Sequence, residues 1–226
     1  MGNLQAFFTS TKGQLLIVLV ILILFGIILF FGKNKKMDAK VLSISALLVA
    51  LSTALSYVVL FKAPYGGSVT LFSILPIVLA GYFFNVRIGL IVGMAVGFLN
   101  LLLNPYIVHP IQLLLDYPLA FGALGLGGIL KKKGEYSIIG VLWISILARY
   151  FCAFLSGVVF FGAYAPKGFN PVTWSLVYNA SYLSVEGIMT TVLLFVPIIR
   201  HTLARLKEII LNNIHVTPLD EERLKS

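Results

Sequence analysis

Seven mostly apolar stretches divide the chain, at residues 15–32, 41–61, 69–86, 88–103, 110–130, 138–161 and 173–199. Each is close to the roughly 20 residues an α-helix needs to cross the hydrocarbon core of a bilayer. In lipid the backbone has to satisfy its own hydrogen bonds, so continuous apolar runs specify helices; a transmembrane barrel would show alternating polar and apolar residues instead. The expected fold class is an all-α integral membrane protein. Composition agrees: of 226 residues, 59% are apolar and 11% charged, against about 25% charged in a typical soluble domain. That excludes a water-soluble enzyme. The single cysteine, Cys152, excludes a disulfide framework and a cysteine zinc site. The first run has no basic leader and no small-residue cleavage site, which argues for a retained helix rather than a signal peptide.

The formal charge of +9 could suggest nucleic acid. The basic residues, however, sit in short clusters between apolar runs, a pattern of membrane orientation rather than of a nucleic-acid face. Lys33, Lys35, Lys36 and Lys40 follow the first run, Arg87 follows the third, and Lys131, Lys132 and Lys133 follow the fifth. Arg200, Arg205, Lys207, Arg223 and Lys225 follow the seventh. With seven spans these places share one side and hold 13 of the 17 basic residues. The other side has Lys12, Lys62 and Lys167. The expected arrangement is a multi-pass protein of the cell membrane with the N-terminus outside and the C-terminus in the cytoplasm. The stretch 200–213 reads either as an amphipathic helix on the inner membrane face or as a solvated end.

Three ionisable residues fall inside the runs: Asp116, Arg149 and Glu186. A charge at mid-membrane costs at least about 2.5 kcal/mol, so it should face a partner or a watery cavity. Asp116 and Asn179 lie about 10 Å from the outer boundary, at about 1.5 Å per helical residue; Arg149 and Glu186 lie deeper. Ser175, Asn179, Tyr182 and Glu186 share one face of the last span; Arg149, Ala153, Gly157 and Phe161 share a face of the one before, and Gln112 and Asp116 do so on the fifth. Tyr106, Tyr117, Phe161, Tyr164, Trp174 and Tyr178 stand near the same level. These faces predict an outward-opening pocket for a flat, cationic or hydrogen-bonding small molecule. A plainer reading makes the Tyr and Trp residues an interfacial belt, and makes Arg149 with Asp116 or Glu186 a structural ion pair.

On the second span Ala46, Ala50 and Ala54 recur every four residues, letting a helix approach closely, either from this chain or from another subunit. Catalysis has no support: there is no Ser/His/Asp order and no HExxH, and the Gly-rich stretch 122–128 lacks the Lys-Ser/Thr of a phosphate loop. No cofactor is implied. Besides ligand capture, the residues allow a stand-alone proton-coupled transporter with Asp116, Arg149 and Glu186 as relay, or a scaffold that assembles subunits through the alanine stripe.

Several segments carry a resemblance. They are Tyr65-Gly66-Gly67-Ser68-Val69, His109-Pro110-Ile111-Gln112-Leu113-Leu114-Leu115-Asp116-Tyr117, Arg149-Tyr150, Ser156-Gly157-Val158-Val159-Phe160-Phe161-Gly162, Ala165-Pro166-Lys167-Gly168 and Trp174-Ser175-Leu176-Val177-Tyr178-Asn179-Ala180. From about residue 40 to 199 the chain resembles the substrate-binding S components of energy-coupling factor (ECF) vitamin transporters, and among them the thiamine-binding ThiT/YuaJ family. The resemblance implies a six-helix core that binds thiamine from outside and docks on one transmembrane coupling subunit and two ATPases. It implies that Asp116 and Asn179 hold the vitamin, that Trp174, Tyr106, Tyr117 and Phe161 form aromatic walls, and that Ser175, Gly157 and the basic Arg149 belong to the same site. It implies that Ala46, Ala50 and Ala54 contact the coupling subunit. Ala153 stands where the family often has His, Trp174 where Tyr is common, and Gly67 where relatives can carry Trp, which leaves a thiamine precursor or another vitamin as the alternative ligand. The expected organisation is an additional N-terminal transmembrane helix and basic loop (1–36), a six-helix substrate-binding domain (37–200) and a cytoplasmic tail (201–226).

Overall fold

A computed structural model describes residues 38–130, 134 and 136–215, with seven isolated positions nearer the N-terminus. Most of the first expected span, the lysines at 33–36 and 131–133 and the end of the tail lie outside the described residues.

Helix α1 (Ala39–Ser56) contains neither Gly nor Pro. It buries only Val41, Ser45, Leu48, Ser52 and Ser56, a single stripe at helical spacing. Leu42, Leu47 and Leu51 point away from the bundle, 45% to 66% exposed, as suits a helix flanked by lipid. The second apolar run was expected to continue as helix to residue 61. Instead the chain leaves the helix at Tyr57 and forms an antiparallel hairpin, β1 (Val59–Lys62) with β2 (Ser68–Thr70), pairing Val59 with Thr70, Phe61 with Val69 and Lys62 with Ser68. The Pro64-Tyr65-Gly66-Gly67 turn makes this possible. Tyr65 and Gly66 both have positive φ, 62° and 95°, a region glycine occupies freely and tyrosine only under tertiary constraint.

The third run was expected to span residues 69–86. It yields only α2 (Ile74–Phe83), because β2 and the turn at Phe72 consume its start. Ten residues make about 15 Å, half a bilayer core. Nearly every side chain of α2 is buried, so it is a helix within the bundle rather than one facing lipid. Asn85 caps α3 (Val86–Leu103) by accepting from the Ile88 N–H at 3.1 Å.

Helix α4 (Pro110–Ile129) is interrupted. His109 caps it and Pro110 starts it, but Pro118 falls inside. Proline offers no N–H and clashes with the preceding turn, and the chain widens into a π-type turn over Leu115–Leu119 before tightening to a 3-10 turn at Leu124–Ile129. Helix α5 (Ser137–Phe160) packs along α6 (Pro171–Phe195), whose start carries a reciprocal Asn170/Thr173 capping box. Helix α7 (Pro197–His215) leaves α6 at 85°. Among the described residues, α1, α3, α4 and α5 are long and apolar enough to cross a membrane, and α6 with α7 makes a fifth candidate when the bent pair is taken together.

Glycines set the distance between α3 and α4. A Cβ on Gly97 would lie 2.5 Å from the Tyr117 carbonyl oxygen, and Gly89, Gly93 and Gly125 likewise face backbone atoms that cannot move aside. We expect Gly125→Ala to lower stability by about 1–3 kcal/mol, the usual cost of overpacking. Gly140→Ala, whose Cβ would meet only a Leu130 methyl at 3.6 Å, should be neutral or slightly stabilising. Thermal unfolding of the two variants in detergent checks both.

Candidate functional site

The wide turn in α4 aims Asp116 into the bundle. One turn earlier Gln112 is 1% exposed. Its amide nitrogen donates to Asp116 Oδ2 at 2.6 Å and to the Tyr106 carbonyl at 3.1 Å, and its Oε1 accepts from the Val108 N–H at 3.1 Å. The Tyr117 hydroxyl accepts from the Tyr106 N–H at 2.6 Å and donates to the Asn104 carbonyl at 3.1 Å. These bonds fasten the loop before α4 to its first turns. The other carboxylate oxygen, Asp116 Oδ1, accepts no hydrogen bond among the described residues. The Ser156 hydroxyl lies beside the same carboxyl without completing a hydrogen bond of good geometry.

Opposite, α6 presents its polar line. Asn179 Nδ2 donates to the carbonyls of Ala153 and Ser175, at 3.2 and 2.9 Å, and to Ser175 Oγ at 3.1 Å. Its Oδ1 accepts from the Tyr182 hydroxyl at 3.0 Å. Ser175 Oγ donates to the Phe154 carbonyl at 2.8 Å. Both side chains are therefore already engaged, and what Asn179 can still offer is a lone pair on Oδ1. Gly157 makes room for this arrangement: a Cβ there would collide with Ser175 Oγ.

Aromatic rings close the outer end. Tyr106 stacks near Phe161 (6.2 Å between centroids, 18° between planes), and Trp174 sits 5.5 Å from Tyr178. The hairpin contributes Tyr65, 4.8 Å from Tyr164. The Tyr178 hydroxyl donates to the Pro64 carbonyl and accepts from the Gly67 N–H at 3.0 Å, tying the hairpin turn to α6. Arg149 lies with its guanidinium 4.2 Å over the Phe121 ring. It is close enough to Asp116 to interact electrostatically but closes neither of the ion pairs weighed from the sequence.

Glu186, for which the sequence suggested a relay or an ion pair with Arg149, has a different structural contact. Its Oε1 accepts from Thr70 Oγ1 at 2.8 Å, Ser73 Oγ at 3.2 Å and the Ile74 N–H at 3.4 Å. A carboxylate thus caps the N-terminus of α2, where the helix dipole favours negative charge, and bonds α6 to β2.

All nine residues expected from the sequence, Tyr106, Asp116, Tyr117, Arg149, Gly157, Phe161, Trp174, Ser175 and Asn179, line one cavity of about 560 Å³. Tyr65, Gly67 and Glu186 line it too; helical spacing in the sequence puts Glu186 on that face of the last span, whereas sequence reasoning gave Tyr65 and Gly67 no part in the pocket. The turn signal Pro64-Tyr65-Gly66-Gly67 was the available hint for the hairpin; nothing local marks Glu186 as the partner of residues more than 110 positions away.

Comparison with known proteins decides the family. The family described as thiamine transporter protein (Thia_YuaJ) matches residues 42–206. The chain belongs to this thiamine transporter family. It is 38% identical to thiamine transporter ThiT of Bacillus subtilis over 144 residues, 58% of this chain and 74% of that protein. It is 34% identical to ThiT of Lacticaseibacillus paracasei over 117 residues, 44% of this chain and 58% of that one. The solved structure of ThiT from Listeria monocytogenes matches with a TM-score of 0.60 at 25% identity, covering 71% of this chain and 96% of its own. Family membership and the apolar helices together make this a multi-pass membrane protein.

Replacing Glu186 by Ala would leave the Ile74 N–H and one of the two buried hydroxyls without an acceptor, since Thr70 and Ser73 can still bond to each other, at about 1–3 kcal/mol for each donor left unmet. We expect a marked fall in unfolding temperature for Glu186→Ala and recovery of most of it in Glu186→Gln, whose amide oxygen still accepts.

Proposed function

We propose that this chain is the substrate-binding S component of an ECF-type importer, capturing thiamine from outside the cell in the cavity between α4, α5, α6 and the hairpin. The observation that carries this reading is the unengaged Oδ1 of Asp116 inside an aromatic-walled cavity, in a chain of the thiamine transporter family. Thiamine is a flat cation with an aminopyrimidine. Asp116 Oδ1 accepts from its amine or balances its charge, Asn179 Oδ1 adds an acceptor, and Trp174, Tyr106, Tyr117 and Phe161 form the walls on which its rings stack. Ser175 and Gly157 act by holding Asn179 in place.

Transport then depends on partners, since an import step against a gradient needs an energy source. Ala46, Ala50 and Ala54 are all exposed on α1, turned away from the stripe that α1 buries in this chain. That supports the reading in which they receive a helix of a transmembrane coupling subunit, itself driven by two ATPases. The distribution of basic residues supports an outside N-terminus and a cytoplasmic C-terminus. The proton-relay alternative is weaker with Glu186 engaged by three donors. A thiamine precursor is the competing ligand, because Ala153 lines the cavity where relatives often carry His.

Titrating thiamine into the purified protein should quench its tryptophan emission saturably, and Trp174→Phe should remove most of that signal. Asp116→Asn should weaken binding by about 1.5–3 kcal/mol, the range for hydrogen bonds to charged groups, or roughly 10- to 150-fold in Kd. Saturation by the isolated aminopyrimidine precursor and none by thiamine would reassign the ligand.

A bulky residue on the alanine stripe separates binding from transport. Ala50→Leu should leave thiamine affinity in the purified protein unchanged and abolish uptake by cells, because small-residue interfaces lose contact when one Cβ branch is added. Unchanged uptake would remove the stripe from coupling.

A further inference from the structure

Helix α7 has three faces rather than two. One is turned to the bundle: Leu203 and Ile210 pack on its core, Arg200 lies 4.2 Å over the Tyr136 ring, and Lys207 lies 4.3 Å over the Tyr82 ring. The two remaining faces are exposed and differ in chemistry. Ile198, Leu206 and Ile209 fall on one stripe at helical spacing, 73%, 41% and 54% exposed. Thr202 lies between them, its hydroxyl satisfied by the Ile198 carbonyl at 2.7 Å. His201, Arg205, Glu208 and Asn212 fall on the other stripe, also exposed.

At about 100° per residue, the apolar and polar stripes lie side by side on the half of the helix turned away from the bundle. A helix bordered by protein on one side and water on the rest would have no use for the apolar stripe. One standing alone in a membrane surface would have no use for the bundle face. Three faces in this order fit a helix with protein, lipid and water on its three sides.

The position of α7 agrees. It leaves α6 at 85°, so it runs across the end of the bundle rather than along it. The outward residues of the last turns of α6, Ile188, Val192 and Phe195, are 54%, 64% and 55% exposed and apolar, as suits a lipid-facing helix end next to α7. The described helix also carries more cations than anions: Arg200, Arg205 and Lys207 against Glu208.

We propose that α7 is an interfacial wedge that seats Ile198, Leu206 and Ile209 among lipid acyl chains and holds Arg205 at the headgroups of anionic lipids. The lipid chemistry follows from charge complementarity: each cation near an anionic surface contributes about a fivefold gain in partitioning. The wedge acts independently of which molecule fills the cavity.

Spin labels on Ile209→Cys and, separately, Glu208→Cys test this, in a background in which the buried native Cys152 is replaced by Ser. The protein is reconstituted alone, in vesicles of phosphatidylcholine or of phosphatidylcholine with phosphatidylglycerol. Collisions with oxygen report lipid, and collisions with a water-soluble nickel chelate report solvent. The label at 209 should be oxygen-dominated and the label at 208 nickel-dominated, with the contrast larger in the anionic vesicles. Arg205→Gln should shift the label at 209 toward water by roughly fivefold in those vesicles. Nickel access at 209 equal to that at 208 overturns the wedge. Identical behaviour in the two lipids, or no effect of Arg205→Gln, overturns the headgroup contact. Shielding of 209 that appears only after coupling proteins are added assigns the stripe to a protein partner instead. If either labelled variant does not fold, Leu206→Cys and Asn212→Cys give the same pair of readings.

Discussion

Helices α3 and α4 meet backbone to backbone. Gly89 and Gly125 face each other so closely that a methyl group on either would overlap main-chain atoms of the other, and Gly97 rests against the Tyr117 carbonyl. Such a seam has no flexible side chain to absorb error, so it fixes the depth and rotation of α4 to within a fraction of an ångström. That matters because α4 is a poor helix by itself, broken by Pro118 and widened over Leu115–Leu119. The glycine seam holds the widened turn against a straight neighbour, and the widened turn is what carries Asp116 and Tyr117. Without the close approach, the cavity wall would have no defined position.

The second constraint is the scarcity of water. Inside a bilayer each polar atom needs a partner in the protein, and the cavity meets this almost completely. Gln112, Asn179 and Glu186 each satisfy three neighbours. Against this background the free oxygen of Asp116 and the unsatisfied Ser156 hydroxyl stand out on energetic grounds, as groups whose partner is expected to arrive with a ligand. The arrangement also orders the roles. Residues that touch the cavity but have exhausted their hydrogen-bonding capacity, such as Ser175, serve by positioning others.

The site was more legible in the sequence than the path of the chain. Helical spacing alone puts Ser175, Asn179 and Glu186 on one face, and a carboxylate in an apolar run marks itself by its cost. Hydropathy cannot mark where such a run stops being helical. Val59–Lys62 is as apolar as the helix before it, and the strand is set by a turn several residues later and by pairing with Ser68–Thr70. The same blindness stretched α2 beyond its ten residues. The tie from Glu186 to Thr70 and Ser73 depends on two helices meeting in space, and no local pattern announces it.

That tie also bears on how occupancy of the cavity could reach the outer face of α1. Ser52, on the buried stripe of α1, donates to the Ser73 carbonyl at 2.6 Å. Ser73 and Thr70 lie within hydrogen-bonding distance of each other, at 2.6 Å, and of Glu186, and share their two hydroxyl protons among these contacts. Glu186 belongs to the same helix as Asn179 and Trp174. Two elements that line the cavity, the hairpin and α6, are therefore bonded, through Ser73 at the start of α2 and through short side chains with little rotamer freedom, to the helix whose alanine stripe faces outward. Short hydroxyl links resist stretching and sliding, so any displacement of the hairpin would be taken up by α1 or by breaking buried hydrogen bonds, each of which costs about 1–3 kcal/mol. Movement of α1 with its attached hairpin would be the less costly response, and would change the angle at which Ala46, Ala50 and Ala54 are presented to the surroundings of the bundle.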